Sequence, residues 1–208
     1  MTSPEDLPGA PGRNAVAGAP GAVSESGEAP RPTTGRPVVR PARPEDIPEI
    51  LGMVRELAEY ERSAHEVQAT EEMLADLLFG GNTPSGAPAA YCHVALAPAD
   101  HPDGPPLAGM ALWFLNASTW RGQHGIYLED LYVRPHFRGL GLGQALMAEL
   151  ARICTDRGYA RLEWWVLDWN TPAIDFYRAL GAQPMDDWTV NRITGAPLER
   201  LANRAPRG

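Results

Sequence analysis

Chemistry is concentrated in the stretch Arg138-Gly139-Leu140-Gly141-Leu142-Gly143. Glycines at alternate positions remove the Cβ atoms that would keep a ligand off the backbone. The stretch follows a strand signal and opens a helix signal. Consecutive N–H groups at a helix start face an anion, and the helix dipole adds to the attraction. This suits a pyrophosphate, and it also suits a bare strand-to-helix connection. It is not the dinucleotide fingerprint Gly-x-Gly-x-x-Gly, because Gln144 or Leu146 stands where the third glycine belongs. Just upstream, Glu129 and Asp130 interrupt apolar strand residues, where an acid is costly unless it has a task or a partner. Strand alternation predicts that Tyr127, Glu129, Leu131 and Val133 share one face and that Asp130 points to the other.

The elements that must position these residues alternate between strand and helix. A short strand is expected over Val38–Arg40. A helix follows, starting between Pro44 and Pro48 and running to Tyr60, with Ile47, Ile50, Leu51, Val54 and Leu57 at helical spacing. Thr70 can cap a second helix, Glu71–Phe79. Strands are expected over Tyr91–Ala97, Leu107–Leu115 and Gly125–Val133, with a Pro/Asp/Gly loop over Ala99–Pro106. A long helix, Leu142–Arg157, carries an inner stripe of Leu142, Leu146, Leu150 and Ile153, and Gly158 ends it. The pattern continues with a strand over Arg161–Leu167, a helix capped by Asn170 and ending at Leu180, a strand over Trp188–Ile193 and a short helix over Pro197–Asn203. Residues 1–37 hold seven Pro and six Gly and no aromatic residue, which predicts a disordered tail ahead of one α/β domain over 38–208.

Composition excludes several classes of function. Among 208 residues, acids outnumber bases 26 to 18, for a net charge of −8. This argues against nucleic acid as a partner and suits a cationic ligand. Every base is Arg; without Lys there is neither a Schiff-base lysine nor a Walker phosphate loop. Cys92 and Cys154 are the only thiols, too few for a disulfide framework, so a reducing cytoplasm is expected. His65, His93, His101, His124 and His136 lack metal spacing, so no metal is expected. No apolar run is long enough to span a membrane, and the N-terminus has no signal-peptide pattern.

Tyr127-Leu128-Glu129-Asp130-Leu131-Tyr132-Val133-Arg134-Pro135, followed by Arg138 to Gly143, resembles motif A of the GNAT acetyltransferases. Val166-Leu167-Asp168-Trp169-Asn170, with Phe176-Tyr177 and Leu180-Gly181-Ala182, resembles motif B. Leu-Glu-Asp before the turn with Trp-Asn and Phe-Tyr after it is similar to the diamine (spermidine/spermine) and thialysine branch. So are Val39-Arg40-Pro41-Ala42 and Leu57-Ala58-Glu59-Tyr60-Glu61. The likeness covers about residues 38 to 203.

The resemblance implies a GNAT fold, a mixed but mostly antiparallel twisted sheet of six to seven strands flanked by helices. It implies acetyl-CoA as donor, a primary amine of a small cationic acceptor, and direct transfer by a homodimeric N-acetyltransferase. Backbone at Leu131, Tyr132 and Val133 would hold the pantetheine arm. Arg138, Gly139, Leu140, Gly141, Leu142 and Gly143 would take the pyrophosphate, with Asn170 and Ala173 as further contacts to acetyl-CoA. Tyr177 would protonate the leaving thiolate, since a phenol with a pKa of about 10 keeps its proton at neutral pH; from its position alone it is a packed core ring. Glu129 would receive the amine proton through water. Glu61 matches the family's acidic amine-binding position, with Asp130 behind it, and Trp120 and Trp188 flank the acceptor cleft, where aromatic faces attract cations. Packing is the alternative for both tryptophans, and a solvated helix end is the alternative for Glu61. Cys154 falls on the buried side of its helix, which disfavours an acyl-cysteine route. The rival readings are a GNAT enzyme for another amine, such as an amino acid or an aminoglycoside, and an acyl-CoA-binding module without turnover.

Overall fold

The computed structural model describes residues 36–81, 83–98 and 106–206. Nearly all of the expected tail, and residues 99–105 of the expected loop, lie outside the described residues. One sheet runs in the order β1-β2-β3-β4-β5. β1 (Val39–Pro41), β2 (Tyr91–Leu96), β3 (Leu107–Ser118) and β4 (Gln123–Val133) pair antiparallel, and β5 (Leu162–Glu163) joins β4 in parallel. Helices α1 (Ile47–Tyr60) and α2 (Glu71–Phe79) cover one face. Helices α3 (Leu142–Arg157) and α4 (Thr171–Ala179) cover the other, and α5 (Gly195–Ala202) ends the described chain. Among the described residues, no helix is long and apolar enough to cross a membrane.

Local chemistry explains most of these bounds. Pro48 sits in the first turn of α1, where its missing N–H costs nothing, and Ile47, Ile50, Leu51, Met53 and Leu57 are buried against the sheet. Thr70 Oγ1 accepts from Met73 N at 3.2 Å, which caps α2. Gly158 takes a left-handed conformation, φ +66°, at the end of α3. The buried stripe of α3 is Leu142, Leu146, Met147, Leu150 and Cys154.

Three expectations are corrected. The sheet has five strands among the described residues, not six to seven. The strand expected over Arg161–Leu167 is reduced to two residues, because β5 leaves β4 after the Tyr127–Glu163 pair. Trp188–Ile193, although it alternates like a strand, forms no strand among the described residues; a strand pattern needs a neighbouring strand to bond.

The strand-face expectation fails for a more informative reason. Leu112 pairs with Asp130, but the next residue, Trp113, pairs with Leu128, so Glu129 is an extra residue in β4. Such a bulge resets the alternation. Ile126, Leu128, Leu131 and Val133 all pack into the core under α3, while Tyr127 packs on Phe114 at 4.9 Å and Tyr132 joins the core under α1. Glu129 and Leu131 therefore do not continue one uninterrupted face.

Arg134, just past β4, ties that strand to α1. Its guanidinium reaches Glu49 at 2.6 Å, Glu56 at 3.0 Å and the Leu107 carbonyl at 2.9 Å. The two glutamates are about a third exposed, so the cost of removing their shared cation is moderated by solvent. Arg134→Met is expected to lower unfolding free energy by about 2 kcal/mol in urea titrations. Adding Glu49→Gln and Glu56→Gln should recover part of it, since two uncharged amides need no cation. Absence of both loss and recovery would show that the clamp contributes nothing to stability.

Candidate active site

The glycine turn has the expected shape. Gly139 and Gly141 both hold φ +78°, a left-handed conformation, and open space surrounds the position of a Cβ on either. Gly141 is the N-cap of α3, and Ala145 N is the residue that bonds back to its carbonyl, at 2.9 Å. The N–H groups of Leu142, Gly143 and Gln144 therefore precede the first helical bond. Leu142 is buried and Leu140 packs against the same core, so the two leucines anchor the turn while Gly139 and Gly141 are exposed.

Beside the turn, β4 offers an open edge. Arg134 N bonds Ala108 O, and antiparallel alternation then turns the backbone groups of Leu131 and Val133 away from β3. β5 has already left, so among the described residues no strand pairs with this edge. Arg138 lies across it: its Nε donates to the Val133 carbonyl at 2.9 Å, and its guanidinium carbon is 5.8 Å from the ring centres of both Tyr60 and Tyr132.

Beyond that edge the structure gathers Glu61, Glu129, Asp130 and Tyr177. Burial, then the charge of Glu129, then that of Glu61, pushes the Asp130 carboxyl up to about 8. Burial, then Asp130, then Glu61, holds the Tyr177 phenol well above its ordinary value. Tyr177 is 3% exposed, and its hydroxyl has no hydrogen-bond partner among the described residues. A buried hydroxyl left unbonded is uncommon and points to an absent partner. Trp164 packs on the Tyr177 ring at 4.7 Å and fixes it from α4's sheet side.

Asn170 closes the arrangement. It is fully buried, and its Oδ1 accepts from Ala173 N at 3.4 Å and from the Tyr60 hydroxyl at 3.2 Å. Its Nδ2 has no partner among the described residues. Ala173, also fully buried, brings α4 against the same core. Sequence reasoning gave no role to Tyr60 or Arg134; the signal was present as an aromatic residue beside Glu61 and an arginine directly after Val133.

Trp120 stands apart from the site, and Trp188 lies on an exposed segment. Trp120 is 93% exposed in the β3–β4 turn, three residues before β4 begins. At about 3.3 Å per residue, Asp130 is on the order of 20 Å further along the strand. Trp188 is 70% exposed in the segment that lacks a strand neighbour. Cys154 is buried, with its sulfur 3.6 Å from the Arg161 carbonyl, and burial raises its pKa.

The acetyltransferase (GNAT) family profile matches residues 51–182 of this chain. The chain belongs to that family. It is similar to the thialysine N-epsilon-acetyltransferase of Bos taurus, 38% identical over 172 residues that cover 80% of this chain and 98% of that protein. It is also similar to the L-ornithine N5-acetyltransferase of Arabidopsis thaliana, 30% identical over 78% of this chain and 86% of that protein. Among solved structures, an integron cassette protein of V. cholerae shares the fold, with a TM-score of 0.63 at 24% identity over 80% of this chain and 97% of its own. This GNAT protein is thus an N-acetyltransferase, and its family uses acetyl-CoA.

The Asp130 shift has a stability consequence for the acetyltransferase. The folded protein holds the Asp130 proton to about pH 8, whereas an unfolded aspartate releases it near pH 4. The folded state therefore binds the extra proton between those values, and this contribution to stability is lost as pH rises through the folded pKa. Asp130→Asn removes the dependence. Its melting temperature is expected to gain on that of the wild type from pH 5 to about pH 8 and then to hold a constant difference. Parallel curves would place the Asp130 carboxylate in solvent.

Proposed function

We propose that this enzyme transfers the acetyl group of acetyl-CoA to a primary amine of a small cationic acceptor, of the diamine or thialysine class, by direct attack. The observation that carries the reading is the buried, unbonded Tyr177 hydroxyl near the carboxyl groups of Asp130 and Glu61. A proton donor and an ammonium-attracting wall meet at the end of an open strand edge.

The residues suit the parts. The outward glycines and first-turn N–H groups of α3 would take the pyrophosphate, and the free backbone of Leu131 and Val133 would pair with the pantetheine arm as a further strand would. Asn170 Nδ2, a buried donor without a partner among the described residues, would donate to the cofactor. When the amine nitrogen bonds the thioester carbon and the C–S bond breaks, the sulfur needs a proton. Tyr177 holds one at neutral pH because burial and the nearby carboxylates disfavour its phenolate. The ammonium of the acceptor must first lose a proton, and Glu129, the bulged residue of β4, would take it through water. Glu61 and Asp130 would hold a second ammonium of the same acceptor. The names of the bovine and Arabidopsis relatives, acting on thialysine and ornithine, support an acceptor with two amino groups.

The reading includes a homodimer in the cytoplasm. Met185, Trp188, Val190, Ile193, Leu198 and Leu201 are all exposed on the C-terminal arm, and no residue of α5 is buried. Such a surface is large for a protein that works alone. Two buried free cysteines suit a reducing compartment.

Thiol release across a panel of amines tests the reaction itself. Within it, Tyr177→Phe keeps the ring and should lower kcat by about 10² to 10⁴ with acetyl-CoA affinity nearly unchanged. Glu129→Gln should move the optimum to higher pH, where more of the acceptor is already neutral. Full turnover of Tyr177→Phe at saturating substrates would assign the proton to another donor.

The donor site is tested by two glycines under like strain. Gly141 and Gly158 both hold left-handed backbone at opposite ends of α3, with open space around each Cβ position. An alanine at either costs about 1 kcal/mol of stability. By calorimetry, Gly141→Ala should weaken acetyl-CoA binding at least tenfold, a factor worth about 1.4 kcal/mol, and Gly158→Ala should leave it unchanged. Equal binding by both variants would make the turn a mere connection.

A further inference from the structure

The contacts at the end of α1 join three parts of the site through one side chain. The Tyr60 ring lies 5.8 Å from the guanidinium carbon of Arg138, the first residue of the phosphate turn. The Tyr60 hydroxyl donates to Asn170 Oδ1 at 3.2 Å, and that oxygen also caps α4, the helix that carries Tyr177. The ring is 5.9 Å from that of Trp169, and the next residue in the chain is Glu61.

We propose that Tyr60 is a positioning residue that transmits cofactor binding at the phosphate turn to Asn170 and the proton-donor helix. This rests on the function proposed above. Ala173 N–H can only donate, so Asn170 must turn its carbonyl oxygen toward it. Tyr60 can donate or accept, and facing that oxygen it must donate. Its hydroxyl thus fixes the Asn170 amide from the side opposite α4 and leaves Nδ2 presented as the buried, unbonded donor. Arg138 holds the other end of the chain. Its Nε occupies the Val133 carbonyl on the open edge, where a pantetheine arm pairing with β4 would compete for it. A pyrophosphate on the neighbouring N–H groups would draw the same guanidinium by charge. Both events take Arg138 off the Tyr60 ring, and the ring's freedom then reaches Asn170 and Trp169.

Two measurements test this. In steady-state kinetics, Tyr60→Phe keeps the ring against Arg138 and Trp169 but frees Asn170. Its kcat should fall about tenfold as the proton donor is misplaced, while the KM for acetyl-CoA, loosened only at Asn170, should rise by less than that factor. Tyr60→Leu should raise that KM further. A lowered melting temperature with unchanged kcat would make Tyr60 a packing residue and overturn the proposal. The second readout needs no turnover. Titration with CoA should change the Trp169 emission, taken as the difference between wild type and Trp169→Phe, and the change should vanish in the Tyr60→Leu background. An absent change, or one that persists without the ring, overturns the link. A protein that binds CoA with the expected emission change but acetylates no amine would instead refute the proposed function and leave the link standing.

Discussion

Much of the site follows from the one extra residue in β4. Placing Glu129 opposite the junction of Leu112 and Trp113 lets the strand keep Ile126, Leu128, Leu131 and Val133 in a single core on both sides of the irregularity. Without it, a strict period of two would send half of those side chains to the wrong face. The bulge also bends the strand and increases its twist, and β5 departs just before it, after Tyr127. The same irregularity therefore inserts two carboxylates into the middle of the sheet and opens the strand edge beside them. A structure that holds an open edge and half-buried acids must brace them from outside. Arg134 does so at the far end of β4 through Glu49, Glu56 and the Leu107 carbonyl.

Electrostatics then divides the site into two halves. The phosphate turn offers backbone N–H groups and Arg138. The neighbouring acidic cluster holds Glu61, Glu129 and Asp130, where burial, reinforced by the charges of Glu129 and Glu61, keeps a proton on Asp130 at neutral pH. On the proposed function, an entering dication would offset those charges and an entering pyrophosphate would meet the opposite sign, so neither substrate would be attracted to the other's half. Tyr177 stands at the border, neutral because its surroundings are acidic and dry.

How far the sequence foretold this depends on how local each signal was. α2 was legible to the residue because Thr70, the apolar spacing and Gly80 all lie within one helix. The turn from Arg138 to Gly143 was legible for the same reason. The bulge was not, because it is a mismatch between two strands, and only the partner's register shows it. Trp188–Ile193 has a strand's pattern without a strand's neighbour, and no pattern within a segment reveals what lies alongside it. Tyr60 contributes through Arg138 and Asn170, the latter 110 residues away. Its sequence neighbourhood marked Glu61 and gave no sign of the ring's own contacts.

The proposed role of Glu61 and Asp130 is to hold a second ammonium while the first is acetylated. Its most direct measurement compares 1,4-diaminobutane with 1-aminobutane as acceptors, by thiol release at saturating acetyl-CoA. Loss of one charge-assisted contact costs about 2 to 3 kcal/mol, so the diamine should be favoured on the order of 10²-fold in kcat/KM. Equal rates for the two amines would contradict the claim and leave the three carboxylates without a role in choosing the acceptor.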